Sequence, residues 1–215
     1  MSQLKLTADS GGGTVAIKGP ASTAGNAAIE LTVPGTGNAT LLTSASSTGK
    51  VLQLVINEKS DTVSIAGQNN GSSFGDVTGI NVTITPTAAS SKIYVQFCLG
   101  KAAHSSNSTG VRFTRSVAGA SASAIKVGAT ASNRKSVSSN ILGSGLINTG
   151  HAQGFNYHFV DTPSYSVGQS IVYQMQVLTE GTNNFYVNRT PDDTDNGNIY
   201  FARAFSTITA MEIAA

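Results

Sequence analysis

The sequence predicts an all-β protein: an antiparallel, jelly-roll-like β-sandwich head preceded by an extended N-terminal β-arm. Three observations predict it. Apolar residues recur at every second position in one segment after another, the mark of half-buried strands. Turn-forming residues separate those segments at short intervals, as in Gln68-Asn69-Asn70-Gly71, Thr85-Pro86-Thr87, Ser166-Val167-Gly168-Gln169 and Glu180-Gly181-Thr182-Asn183. Finally, charged residues make up 11% of the 215 and hydrophobic ones 40%, with a net charge of +2. That is enough apolar material for a core, and it is not the composition of a disordered chain. No segment carries the i, i+3, i+4, i+7 stripe of an amphipathic helix.

Residues 1–50 differ in kind from the rest. Val15–Lys18 and Ile29–Val33 read as short strands, each running into a proline, Pro20 and Pro34. A Gly-Asn-Ala triplet recurs at 25–27 and 37–39, a weak repeat of strand, proline turn and Gly-Asn turn. Such strands carry too few apolar side chains for a core, and an isolated hairpin is marginal in water. Residues 1–50 are therefore expected to be a β-arm or shaft-like anchor, packed on the head or intertwined with the arms of other copies.

Residues 51–215 are expected to form the sandwich head. Strands are predicted at 51–57 and 61–65, then at 80–85, where Ile80, Val82 and Ile84 alternate with polar residues. Ile93, Val95, Phe97 and Leu99 mark the next, followed by 111–117. The Ser-, Ala- and Gly-rich stretch 118–152 has the least pattern and reads as long loops at one end of the sandwich. Phe155, Tyr157 and Phe159 mark another strand, and Ile171, Tyr173, Met175 and Val177 share a face of the next, with Gln174 and Gln176 opposite. Strands are also expected at 184–188 and 198–204. Thr207, Thr209, Met211 and Ile213 define the last.

Chemistry is sparse. Thirteen basic against eleven acidic residues leave no field to hold phosphates, so no nucleic-acid partner is expected. No apolar run is long enough for a membrane span. Met1–Thr14 lacks the apolar core of a secretory leader, which points to assembly in a cytoplasm. The one cysteine, Cys98, excludes an internal disulfide framework. It lies opposite Val95 and Phe97, and is expected as a small buried hydrophobe or against a neighbouring subunit.

His104, His151 and His158 lack neighbours at ligand spacing; His158 reads as a surface or interface residue. Ser144, within Leu142-Gly143-Ser144-Gly145-Leu146, fails the pattern and the context of a nucleophile turn. The Asn-x-Ser/Thr triplets at Asn38, Asn70, Asn81, Asn107 and Asn188 follow from composition.

Asp192, Asp193 and Asp195, followed by Asn196-Gly197, are the weak calcium candidates, since carboxylates on a glycine turn offer oxygen ligands. Thr194 and Arg203 stand where a helix–loop–helix calcium loop needs acids, which excludes that motif. The competing expectation is a polar hairpin tip between strands 184–188 and 198–204. No acid pair suits glycoside hydrolysis. No catalytic residue or cofactor is assigned, and the chain is expected not to be an enzyme.

Leu4-Lys5-Leu6-Thr7, Gly11-Gly12-Gly13-Thr14-Val15 and Gly19-Pro20-Ala21-Ser22-Thr23 resemble the N-terminal segment of tailed-bacteriophage virion proteins, especially those of marine phages. Gly49-Lys50-Val51-Leu52-Gln53 resembles the opening of their globular domain. Gly79–Pro86, Ala89–Ile93, Val187-Asn188-Arg189 and the ending Ser206–Ile213 follow in the same order. The resemblance spans nearly the whole chain except the middle, 101–152.

It implies a structural virion protein assembled in the host cytoplasm, typically a homotrimer, either a tail fibre or a head decoration protein. Residues 1–50 would then contact other virion proteins. The loops within 101–152 would offer the contact to a host glycan or protein. The alternatives are a sugar-binding surface module and a polysaccharide-degrading tailspike.

Overall fold

The computed structural model describes residues 3–7, 14–18, 49–67, 73–104, 108–141, 152–179, 181 and 183–215. By internal contacts the chain divides into two units, Met1–Ser46 and Ser47–Ala215. In the first, β1 (Gln3–Thr7) runs antiparallel to β2 (Thr14–Lys18), with Leu4 paired to Ile17 and Leu6 to Val15. The strand expected at 29–33, the Gly-Asn-Ala repeat, the 68–71 turn, Ser144 and His151 lie outside the described residues.

The second unit is all-β and antiparallel. Its strands are β3 (Val51–Lys59), β4 (Val63–Ile65), β5 (Gly75–Ile84), β6 (Lys92–His104), β7 (Thr109–Val117) and β8 (Ser123–Ile125), then β9 (Ser139–Ile141), β10 (Gln153–Asp161), β11 (Ile171–Thr179), β12 (Phe185–Val187) and β13 (Ser206–Ile213). No helix among the described residues is long and apolar enough to cross a membrane.

One sheet is organised around β6, which is thirteen residues long. Along one edge it pairs first with β13, through Lys92–Cys98, and then with β12, through Ala102–His104. β10 pairs along the other edge. β3 lies outside β13, and β4 outside β12. The second sheet runs β5-β11-β7, with β8 and β9 sharing the outer edge of β7.

The inward faces of both sheets supply one hydrophobic core. Ile80, Val82 and Ile84 from β5 meet Val95, Phe97 and Leu99 from β6, and Tyr173, Met175 and Val177 from β11. Phe113 packs its ring against those of Phe97 at 4.5 Å and Tyr157 at 5.0 Å. Period-two alternation delivers each of these side chains to one face of its strand.

Several expectations are corrected. Residues 198–204 are not a strand: Ile199–Phe201 is an exposed 3-10 turn capped by Asn198, whose side chain accepts from the Tyr200 amide. The segment has no strand beside it, and the Lys101 ammonium binds its carbonyls at Tyr200 and Ala202. The acidic turn is therefore not a hairpin tip. The stretch 118–152 is not loop throughout, since it contains β8 and β9, which borrow their partner from β7.

On β13 the core face is Ser206, Ile208, Ala210 and Glu212, leaving Thr207, Thr209, Met211 and Ile213 on the other side. Ile208 and Ala210 enter the core on that face, and Glu212 is buried at its end.

Candidate functional site: an apolar sheet face outside the core

Within the acidic turn, Asp193 is the carboxylate held by arginines. The Asp193 carboxylate takes Arg203 at 2.9 Å and Arg189 at 3.7 Å. The Arg203 hydrogen bond holds its pKa below the usual carboxylate range. Asp192 and Asp195 are exposed beside it. Asp193 and Asp195 line an open cleft of about 460 Å³ with Phe201 and Arg203. Among the described residues, no three His, Cys, Asp or Glu side chains converge as a metal-holding group.

The buried polar groups that sequence reasoning missed are structural. Glu212, fully buried, accepts from Gln53 Nε2 at 2.8 Å, Ser91 Oγ at 2.8 Å, the Ala88 amide at 3.0 Å, and the Thr87 amide and hydroxyl. Burial alone would raise its pKa; these donors outweigh burial and hold it below its ordinary value. The carboxylate thereby fastens the β5–β6 loop to the end of β13.

Asp161 accepts from Arg115 Nη1 at 2.8 Å and from the Tyr173 hydroxyl at 2.9 Å, joining β10 to β7 and β11. Burial, reinforced by the Asp161 charge, pushes the Tyr173 phenol far up, so it stays a neutral donor. Asn188 donates to the carbonyls of Lys59 and Asp61 and accepts from Ser206 Oγ at 2.6 Å. Each carboxylate or amide here is surrounded by fixed partners inside the fold. The available signal was period: Asp161 and Glu212 each extend an inward-facing alternation by one step.

The loop region 101–152 forms part of an open cleft of about 310 Å³, where Lys135, Val137 and Asn140 meet Gly110 and Leu178. His104 is buried in β6, whereas His158 is exposed on β10 and stacks on Tyr94 at 5.9 Å.

The outer face of the β6 sheet is different in character. An antiparallel sheet with one face on the core usually turns polar residues to the other. Here the register aligns Leu54, Met211, Tyr94 and Val160 in one row across β3, β13, β6 and β10. Leu54 is 53% exposed and Val160 45%. The adjacent row is Ile56, Thr209, Gln96 and His158, and the next is Glu58, Thr207, Cys98 and Asn156. On the other side of the apolar row, Val51 and Ile213 align with Lys92.

Lys92 and Glu58 are the charged residues of these four rows, and they stand at opposite ends. Cys98 is half-buried on this face, opposite the core-facing Val95 and Phe97. A contiguous apolar row on a solvent-facing sheet is a signature of an interaction surface.

No protein-family model matches the chain, and no curated protein matches it.

Proposed function

We propose that the chain is a non-catalytic structural protein of a tailed-phage virion, a jelly-roll-like homotrimer projecting from the tail or the capsid. The observation that carries this reading is the solvent-facing apolar row Leu54–Met211–Tyr94–Val160, a surface suited to burial against protein. The ordered resemblance to virion proteins along the sequence supports its location. The buried carboxylates support a structural role, because their oxygens already serve to join strands and loops.

In this reading residues 1–50 attach the head to other virion proteins. The cleft beside Lys135 and Asn140 belongs to the surface that meets the host. Localisation by cryo-EM in purified particles tests the proposal. The expected result is threefold density on the tail or the capsid that fits the two-sheet unit. Particles that lack the chain by mass spectrometry would overturn it.

One observation favours a second reading, a sugar-binding module. The stacked Tyr94–His158 pair lies next to Gln96 and Asn156, which are joined by a 3.2 Å hydrogen bond. An aromatic platform flanked by amides is suited to a sugar ring. Binding of the purified chain on a glycan array, lost in Tyr94→Ala, would favour that reading.

A further inference from the structure

We propose that Asn196 is a site of spontaneous deamidation, in which the Gly197 nitrogen attacks the Asn196 side chain and the Asn198 amide promotes the attack. In the turn Asp195-Asn196-Gly197-Asn198 an asparagine is followed by a glycine, and both are exposed. Asn70-Gly71, the other Asn-Gly pair of the sequence, lies outside the described residues.

The attacking nitrogen is unshielded. A side chain on the residue after an asparagine crowds that nitrogen. Gly197 has none, and a Cβ built there would meet nothing within 4 Å. The asparagines of the strands are followed by bulkier residues, as in Asn57-Glu58, Asn81-Val82, Asn140-Ile141 and Asn156-Tyr157.

The carbonyl under attack is held and polarised. Asn196 Oδ1 accepts from the Asn198 amide at 2.8 Å. That bond closes an Asx turn whose ring contains both Asn196 Cγ and the Gly197 nitrogen, so the two reacting atoms are kept close. As the nitrogen attacks, negative charge gathers on Oδ1, where a fixed N–H donor stabilises it.

The reaction needs water and no other partner. The Gly197 nitrogen gives up its proton and bonds to Asn196 Cγ; the Cγ–Nδ2 bond breaks, and ammonia leaves with that proton. Water then opens the cyclic imide, and its oxygen stays in the new carboxylate. Cleavage of the newly formed bond gives aspartate. Cleavage of the original peptide bond gives isoaspartate, with the chain running through the side chain.

Either product changes this surface. A carboxylate at position 196 joins Asp193 and Asp195 in the cleft they share with Arg203. Isoaspartate also lengthens the backbone just before Asn198, whose side chain caps the turn at the Tyr200 amide. Ile199 and Tyr200, 77% and 58% exposed, ride on that turn and would move with it.

The test is peptide mapping by mass spectrometry after the full-length chain is incubated in heavy-oxygen water at mildly alkaline pH. A synthetic peptide of residues 192–200 would be incubated alongside. The expected result is loss of the Asn196 amide in favour of an acid carrying one heavy oxygen, a mixture of aspartate and isoaspartate. Its rate in the folded chain should be no lower than in the peptide. An Asn196 that keeps its amide while the peptide converts would overturn the site, and slower conversion than in the peptide would overturn its promotion by the fold.

Three variants, checked for fold by circular dichroism, separate the parts. Gly197→Ala has room in the turn and should lose most of the conversion; an unchanged rate would overturn attack by that nitrogen. Asn198 has φ −73°, close to that of proline, so Asn198→Pro removes the donor N–H at a compatible backbone angle. Asn198→Ala loses the same side chain but keeps the N–H. The proline variant should convert severalfold more slowly than the alanine variant, and equal rates would overturn the role of the Asn198 amide.

Discussion

Glu212 is itself fully buried and receives five donors from four residues, of which the Ser91 hydroxyl is buried with it. Glu212→Gln replaces one acceptor oxygen with an amide that points hydrogens at existing donors. Leaving buried donors unmatched costs about 1–3 kcal/mol, and the loss of charge-assisted bonds adds to it. The expected destabilisation is about 2–3 kcal/mol, read from urea unfolding at pH 7.

The pH dependence follows from the direction of the shift. The folded carboxyl titrates below its ordinary 4.5, so its contribution is complete above that value and fades as pH falls through the folded pKa. The stability gap between wild type and Glu212→Gln should therefore narrow on going from pH 7 to pH 3. A gap that stays constant would show that the charge is not what the donors hold.

Asn188 makes a related point about residue identity. Its backbone is left-handed at φ 63°, a conformation that asparagine tolerates better than most residues. Its side chain joins β13 to the end of β3. In the sequence it stood at the end of an expected strand and in a composition-driven triplet, and neither reports a three-way tertiary contact.

At the scale of elements, Gly100 marks the point where β6 changes partner. It lies between the β13-paired residues, which end at Cys98, and the β12-paired ones, which begin at Ala102. A Cβ added there would run into the Phe205 carbonyl oxygen, and the Gly100 amide donates to Ser206 Oγ at 3.2 Å. Gly100→Ala must push the start of β13 away, at a cost of about 1–3 kcal/mol typical of overpacking. A scanning-calorimetry unfolding temperature lowered by about 2–12 °C is the expected readout, at roughly 2–4 °C per kcal/mol for this chain length. An unchanged temperature would mean that the junction yields freely.

The long strands were legible in the sequence because each holds a run of alternating apolar positions, three in Ile80–Ile84 and four in Ile93–Leu99 and Ile171–Val177. β8 and β9 have three residues each, so their existence is decided by the strand beside them, whereas the equally short β4 and β12 fall within the strands expected at 61–65 and 184–188. The 198–204 segment alternates like a strand, but the partner it lacks is also a tertiary matter. The outer apolar row was not legible either. Leu54, Met211, Tyr94 and Val160 come from four distant segments, and only the pairing register aligns them. What could be read was each strand's alternation; which of the two faces would carry an unburied row could not.

For the whole molecule, the distribution of the core makes a prediction about the two units. Every residue of the hydrophobic cluster lies between Val55 and Ala210, within the unit Ser47–Ala215. The networks of Glu212, Asp161 and Asn188 join strands and loops within that unit. With a continuous core and these networks of its own, the head has the interior it needs to fold by itself. Deleting residues 2–45 should leave an unfolding temperature within about 3 °C of the full chain, since 1 kcal/mol moves a domain of this size by roughly 2–4 °C. The same deletion should abolish incorporation into particles, because in the proposed function residues 1–50 make the attachment. Calorimetry of the purified protein and mass spectrometry of purified particles separate the two effects. A folded head that still enters particles at normal occupancy would remove the anchoring role from the arm, and the attachment would then have to be sought on the head.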